Sequence, residues 1–127
     1  MRSMGVEVLE MTHSRHGELV VVTLAGEVDV DNVSRVRKCL DEAVEAHGPR
    51  LVVDLTGLTF IDTTGLGVLV RQLAALRDRN GTMALVASDG QVLRRLRRTN
   101  LAALFPIHET LSQALAQPGA GARGRAG

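Results

Sequence analysis

Residues 51–70, "LVVDLTGLTFIDTTGLGVLV", decide how this chain is read. With Arg50 in front, "RLVVDL" (50–55) is a short, continuous apolar run bounded by turn residues, which predicts a buried strand. "TGLTF" predicts a turn. From Thr64 onward, Leu66, Leu69, Val70, Leu73 and Leu76 recur at helical spacing and predict a helix that ends at Asn80-Gly81. Strand, loop and helix in that order build a parallel sheet with helix cover. At the junction, "FIDTTGLG" (60–67) sets one acid and two hydroxyls where the strand gives way to the helix.

Working outward, the same alternation continues in both directions. "VEVLEM" (6–11) and "ELVVVTLAG" (18–26) predict two strands, with the polar "THSRHG" between them as the turn of a hairpin. From Asn32 the residues Val33, Val36, Leu40, Ala43 and Val44 predict a helix, started by Asp31 or Asn32 and stopped by Gly48-Pro49. "TMALVA" (82–87) predicts a strand, and "QVLRRLRRTN" predicts a helix with Val92, Leu93 and Leu96 inward and a stop at Asn100. A short edge strand is expected around Ile107 and a last helix in "ETLSQALAQ". The order is β-β-α-β-α-β-α-β-α, an α/β chain whose opening hairpin makes the sheet mixed, with four to five strands and about four helices. Residues 1–117 are expected to form one domain, and the Gly/Ala/Arg-rich 118–127 has too little apolar bulk to join it and is expected to be disordered.

Composition narrows the partners. The 127 residues include two Phe, no Tyr and no Trp, so the core must be aliphatic, and the stacking residues of single-strand nucleic-acid binders are missing. There are 15 basic and 14 acidic side chains; without Arg123 and Arg125 of the tail, 13 basic stand against 14 acidic. That balance points to neither a nucleic-acid nor a membrane-surface partner. No run approaches the roughly 18 apolar residues of a membrane span. With a lone Cys39, on a helical pattern, and no signal-peptide pattern, a reducing cytoplasm is expected.

The junction supports two readings. Helix starts leave backbone N–H groups unpartnered and favour negative charge. Asp62 or Thr63 can therefore act simply as a helix cap. Alternatively, a phosphate on Thr63 would meet those N–H groups, crowd Asp62, and recharge the surface of the loop. A phosphate-binding loop is excluded, because no Lys follows Gly65 or Gly67 in the required pattern.

"GEVDVDNVSRV" followed by "LVVDLTGLTFIDTTGLGVLV" resembles the STAS domain, in particular the bacterial anti-sigma-factor antagonists. The likeness rests on Gly26-Glu27-Val28-Asp29 and on Asp62-Thr63-Thr64-Gly65-Leu66-Gly67, and it extends from Val6 to Ala116. It implies a binding switch and not an enzyme. Such a protein binds an anti-sigma factor that is also a serine/threonine kinase, releases the sigma factor, and lets go when phosphorylated; a phosphatase restores it. The resemblance makes Thr63 the phospho-acceptor and Asp62 the residue that orients its hydroxyl or eases its deprotonation. Asp29, Asp62, Thr63, Thr64, Gly65 and Leu66 then form the partner-binding loop, with ATP and Mg²⁺ belonging to the kinase. Thr63 stands where the family most often has Ser, and its methyl restricts χ1 where a kinase must approach. The alternative within the same fold is a subunit of a lipid-trafficking ABC transporter that holds its ATPase constitutively.

Other features carry less. Arg94, Arg95, Arg97 and Arg98 form either a solvated helix face or a contact for an acidic partner surface. His13 and His16, three apart, lack a third metal ligand, and Asp29 with Asp31 are too few for a metal site. His47 and His108 read as structural.

Overall fold

The structure is a computed structural model and describes residues 9–116. The elements are β1 (Leu9–His16), β2 (Leu19–Val28), α1 (Val33–His47), β3 (Arg50–Ile61), α2 (Thr63–Arg77), β4 (Thr82–Val86) and α3 (Gln91–Arg98). A turn of 3₁₀ helix (Leu101–Leu104), β5 (Ile107–His108) and α4 (Leu111–Ala116) complete the order. One sheet runs β1-β2-β3-β4-β5, with β1 antiparallel to β2 and all later neighbours parallel. This is the expected mixed α/β sheet with four helices. The predicted tail at 118–127 and the predicted strand start at Val6 lie outside the described residues.

Alternation along the strands divides the core in two. Val20, Val22, Leu24, Leu51, Val53 and Leu55 face one side, beneath Val36 and Leu40 of α1, Leu69 and Leu73 of α2, and Leu93 and Leu96 of α3. Val21, Val52, Ala84 and Val86 face the other, where Ala114 of α4 covers them. Apolar side chains on both faces explain why these strands read as continuous apolar runs. Of the two phenylalanines, Phe105 is in the core and Phe60 is only half-buried.

Two predicted turns are strand instead. Thr12 to His16 pair with β2 up to His16↔Leu19, so the hairpin turns on Gly17 and Glu18 alone. Gly17 has φ +62, which a two-residue hairpin turn requires and glycine adopts without strain. β1 is an edge strand with exposed polar side chains, so its sequence carries no apolar alternation to betray it. The second correction is "TGLTF", which continues β3 to Ile61. Pairing passes from Thr23↔Asp54 to Ala25↔Gly57 and from Gly26↔Leu58 to Glu27↔Phe60, so β3 holds an extra residue at each shift. At the first, the buried Asp54 carboxylate accepts from the Thr56 N–H (3.0 Å) and the Thr56 hydroxyl (2.7 Å). The local Asp–Thr hydrogen bonds that signal a turn do form, but inside a bulge.

Candidate functional site

β2 and β3 end side by side, at Val28↔Ile61, and the Asp62 N–H donates to the Val28 carbonyl at 3.1 Å. Two loops therefore meet at the carboxyl ends of adjacent parallel strands. One is residues 29–32, leading into α1; the other is Asp62, leading into α2.

Asp62 is the N-cap of α2, in extended conformation. Its Oδ1 accepts from the N–H of Thr64 (3.0 Å), the N–H of Gly65 (3.1 Å) and the hydroxyl of Thr64 (2.5 Å). The Val30 N–H, from the neighbouring loop, donates to the same carboxylate. Partial burial pushes the carboxyl pKa up. The bonds from Thr64, Gly65 and Val30 together outweigh it and hold the group below its ordinary value. The cap reading of Asp62 is thus what the structure shows.

A carboxyl depressed in the folded state stabilises above the ordinary aspartate range, and that contribution is lost as the pH falls through the folded value. Asp62→Ala is expected to cost about 1 kcal/mol at neutral pH. The gap to wild type should narrow in acid. Urea unfolding at both pH values checks this; a gap that widens in acid contradicts it.

Thr63 is the first residue of α2 and is exposed. Its hydroxyl makes no hydrogen bond among the described residues. The expectation that Asp62 orients this hydroxyl is corrected: the carboxylate holds Thr64 instead, one residue on, where the turn of the helix brings the hydroxyl over Oδ1. Gly65 is buried because α2 starts hard against the sheet. A Cβ there would lie 2.6 Å from Ile61 Cγ1 and 2.8 Å from Val28 Cγ1. Leu66 is also buried, 3% exposed, and belongs to the core and not to the loop surface.

Asp29 is half-buried, and its Oδ1 accepts from the Asp31 N–H (2.9 Å). Asn32 stands at the cap position of α1 but does not cap it. It accepts from the Asp29 N–H and donates to the Glu27 carbonyl, both at 3.0 Å. Asp31 is exposed and caps nothing. These bonds hold the loop as a fixed turn with Val30 at its tip, 67% exposed. Val30 was not singled out from the sequence, and Asn32 was expected only as a cap. The signal for Val30 was a valine between two acids, "DVD", beyond the end of a strand.

The basic run is partly tied to this region. The Arg95 guanidinium lies 5.8 Å from the centre of the Phe60 ring, two residues before Asp62. Arg94, Arg97 and Arg98 are exposed and form no ion pair among the described residues. His13 and His16 do not converge. His13 meets the His47 ring edge-on at 5.4 Å, and His16 contacts Ser14. On a strand, positions three apart face opposite ways. Among the described residues there is no cluster of three metal-ligating side chains. Burial, and then the Glu42 carboxylate, push the Cys39 thiol pKa up, which suits a packed thiol. No helix of the described residues is long and apolar enough to cross a membrane.

The STAS domain family matches residues 3–114. An anti-sigma F factor antagonist of Paenibacillus polymyxa is 31% identical over 110 residues, 86% of this chain and 92% of that one. An anti-sigma-B factor antagonist of Listeria monocytogenes is 29% identical over 93 residues, 73% of this chain and 82% of that one. The crystal structure of an anti-sigma factor antagonist from Mycobacterium paratuberculosis matches with a TM-score of 0.77 at 27% identity, covering 84% of this chain and 91% of that one. The mixed sheet, the capped junction after its third strand and a match of this extent agree: the chain belongs to the STAS domain family.

Proposed function

We propose that this protein is an anti-sigma-factor antagonist whose partner is an anti-sigma factor with serine/threonine kinase activity, and that phosphorylation of Thr63 ends the association. The exposed, unpartnered Thr63 hydroxyl at the start of α2 carries this reading, beside a Thr64 hydroxyl already taken by Asp62. The antagonists among its relatives support the same class and favour it over the transporter subunit.

Unphosphorylated, the two loops present Val30, Asp31, Thr63 and Thr64 to the partner, on a base fixed by Asp29, Asn32, Asp62 and Gly65. The partner holds ATP and Mg²⁺. A bond forms from Thr63 Oγ to the γ-phosphorus as the bond to the ADP oxygen breaks, and the hydroxyl proton passes to a base of the kinase. The product carries about −1.5 to −2 charges. The nearest helix N–H groups, those of Thr64 and Gly65, already serve Asp62. The new dianion therefore stays at the surface beside Asp62 and Asp29, where a partner packed flat cannot accept it without a cation. Release follows, and a phosphatase reverses it by hydrolysis.

The test is phosphosite mapping after incubation with the host's purified anti-sigma kinase and ATP. Phosphate is expected on Thr63 and not Thr64, and Thr63→Ala should take none while still binding. Phosphate on Thr64, or unchanged labelling of Thr63→Ala, refutes the assignment.

A further inference from the structure

Among the described residues two large apolar side chains stay exposed, Val30 at 67% and Leu104 at 40%. Val30 belongs to the site above. Leu104 stands elsewhere, on the rim of a cleft of about 200 Å³ at the amino-terminal ends of β3 and β4. The cleft exists because β5 is short. The N–H groups of Leu85 and Ala87 reach Pro106 and His108 across the β4–β5 edge, and by alternation Met83 turns to that edge as well. β5 pairs only with Leu85 and Val86, so at Met83 the edge opens into the cleft.

The walls are apolar: Leu73 from α2, Met83 and Ala84 from β4, Ala114 from α4, and Leu104 at the rim. One cation lines the mouth, Arg77 in the last turn of α2. Nearby, Arg50 pairs with Glu18 and Arg79 with Glu45. The Arg77 guanidinium, by contrast, makes no ion pair or hydrogen bond among the described residues. Apolar walls with a single free guanidinium suit a ligand that has a hydrocarbon body and one anionic head.

We propose that this cleft binds a small amphipathic carboxylate, its tail along Leu73, Met83, Ala84 and Ala114 and its carboxylate on Arg77. The site stands at the opposite end of α2 from Thr63 and does not depend on the partner reading.

The test is titration of the ¹⁵N-labelled full chain with octanoate, and in parallel with octylamine, which has the same tail and the opposite charge. Saturable shifts at the Met83, Ala84, Leu104 and Ala114 amides are expected with octanoate and not with octylamine. Arg77→Gln should leave the unliganded spectrum in place and raise the octanoate Kd about fivefold, the upper end for an exposed ion pair. Equal binding of octylamine, or an Arg77→Gln variant that binds octanoate as wild type does, overturns the carboxylate assignment. Shifts that do not saturate overturn the site. So do contacts from residues 117–127 to these amides in the ligand-free protein, because the chain would then fill its own cleft.

Discussion

Thr63→Glu is expected to weaken binding to the anti-sigma factor by about 100-fold, equivalent to roughly 2.7 kcal/mol. The position is exposed, with no hydrogen bond to lose, so the loss would come from one charge introduced into a flat contact. Glutamate carries one negative charge where phosphothreonine carries nearly two, so the phosphorylated protein should bind more weakly still. The same substitution should leave folding stability nearly unchanged, because the helix dipole favours an acid in the first turn of α2 while the neighbouring Asp62 charge opposes it. An affinity loss without a stability loss separates the two effects. Calorimetric titration of the partner and thermal melting of the free protein check both. Wild-type affinity in Thr63→Glu would remove this loop from the interface.

Gly65→Val is expected to destabilise the fold by about 3 kcal/mol, at the upper end of overpacking costs. Its Cβ alone would approach Ile61 and Val28 far inside van der Waals contact, and both are core side chains that other residues hold in place. The added branches make relief by rotation harder. Gly67→Val is the control, since a Cβ there has nothing within 4 Å. Chemical denaturation of the pair should show a large shift for Gly65→Val and a small one for Gly67→Val. Because relief requires the start of α2 to lift from the sheet, Gly65→Val should also displace Thr63 and impair partner binding. Equal stability of the two variants would mean that α2 is not held by this contact.

The helices and central strands were legible because their signals are local. The spacing of Leu66, Leu69, Leu73 and Leu76 announces α2, and Asp62 one residue before it announces a cap. The same holds for β4 and for the stop of α3 at Asn100, which adopts the left-handed conformation, φ +64. The hairpin and the length of β3 were not legible. β1 past Met11 is polar because it lies exposed at an edge, and only pairing with β2 makes it a strand. Thr56-Gly57 reads as a turn because Asp54 makes turn-like bonds there, while pairing with β2 keeps the segment extended.

At the candidate site the residue types were evident from the sequence and their division of labour was not. Adjacent threonines after an aspartate announce a cap and a hydroxyl, since both depend on the start of one helix. Which threonine is tied and which is free depends on the geometry of the first turn, where Asp62 caps α2 and the Thr64 hydroxyl falls over its carboxylate. Val30 joins the site because parallel pairing ends β2 and β3 together, and Arg95 reaches Phe60 because α3 folds back against β3. The sequence alone determined what is periodic or adjacent along the chain: the order of elements, the cap and the candidate acceptor. Only the tertiary structure decided which surfaces those elements share. Strand register and the cleft beside Arg77 arise from contacts between segments far apart in sequence, and no short-range pattern encodes them.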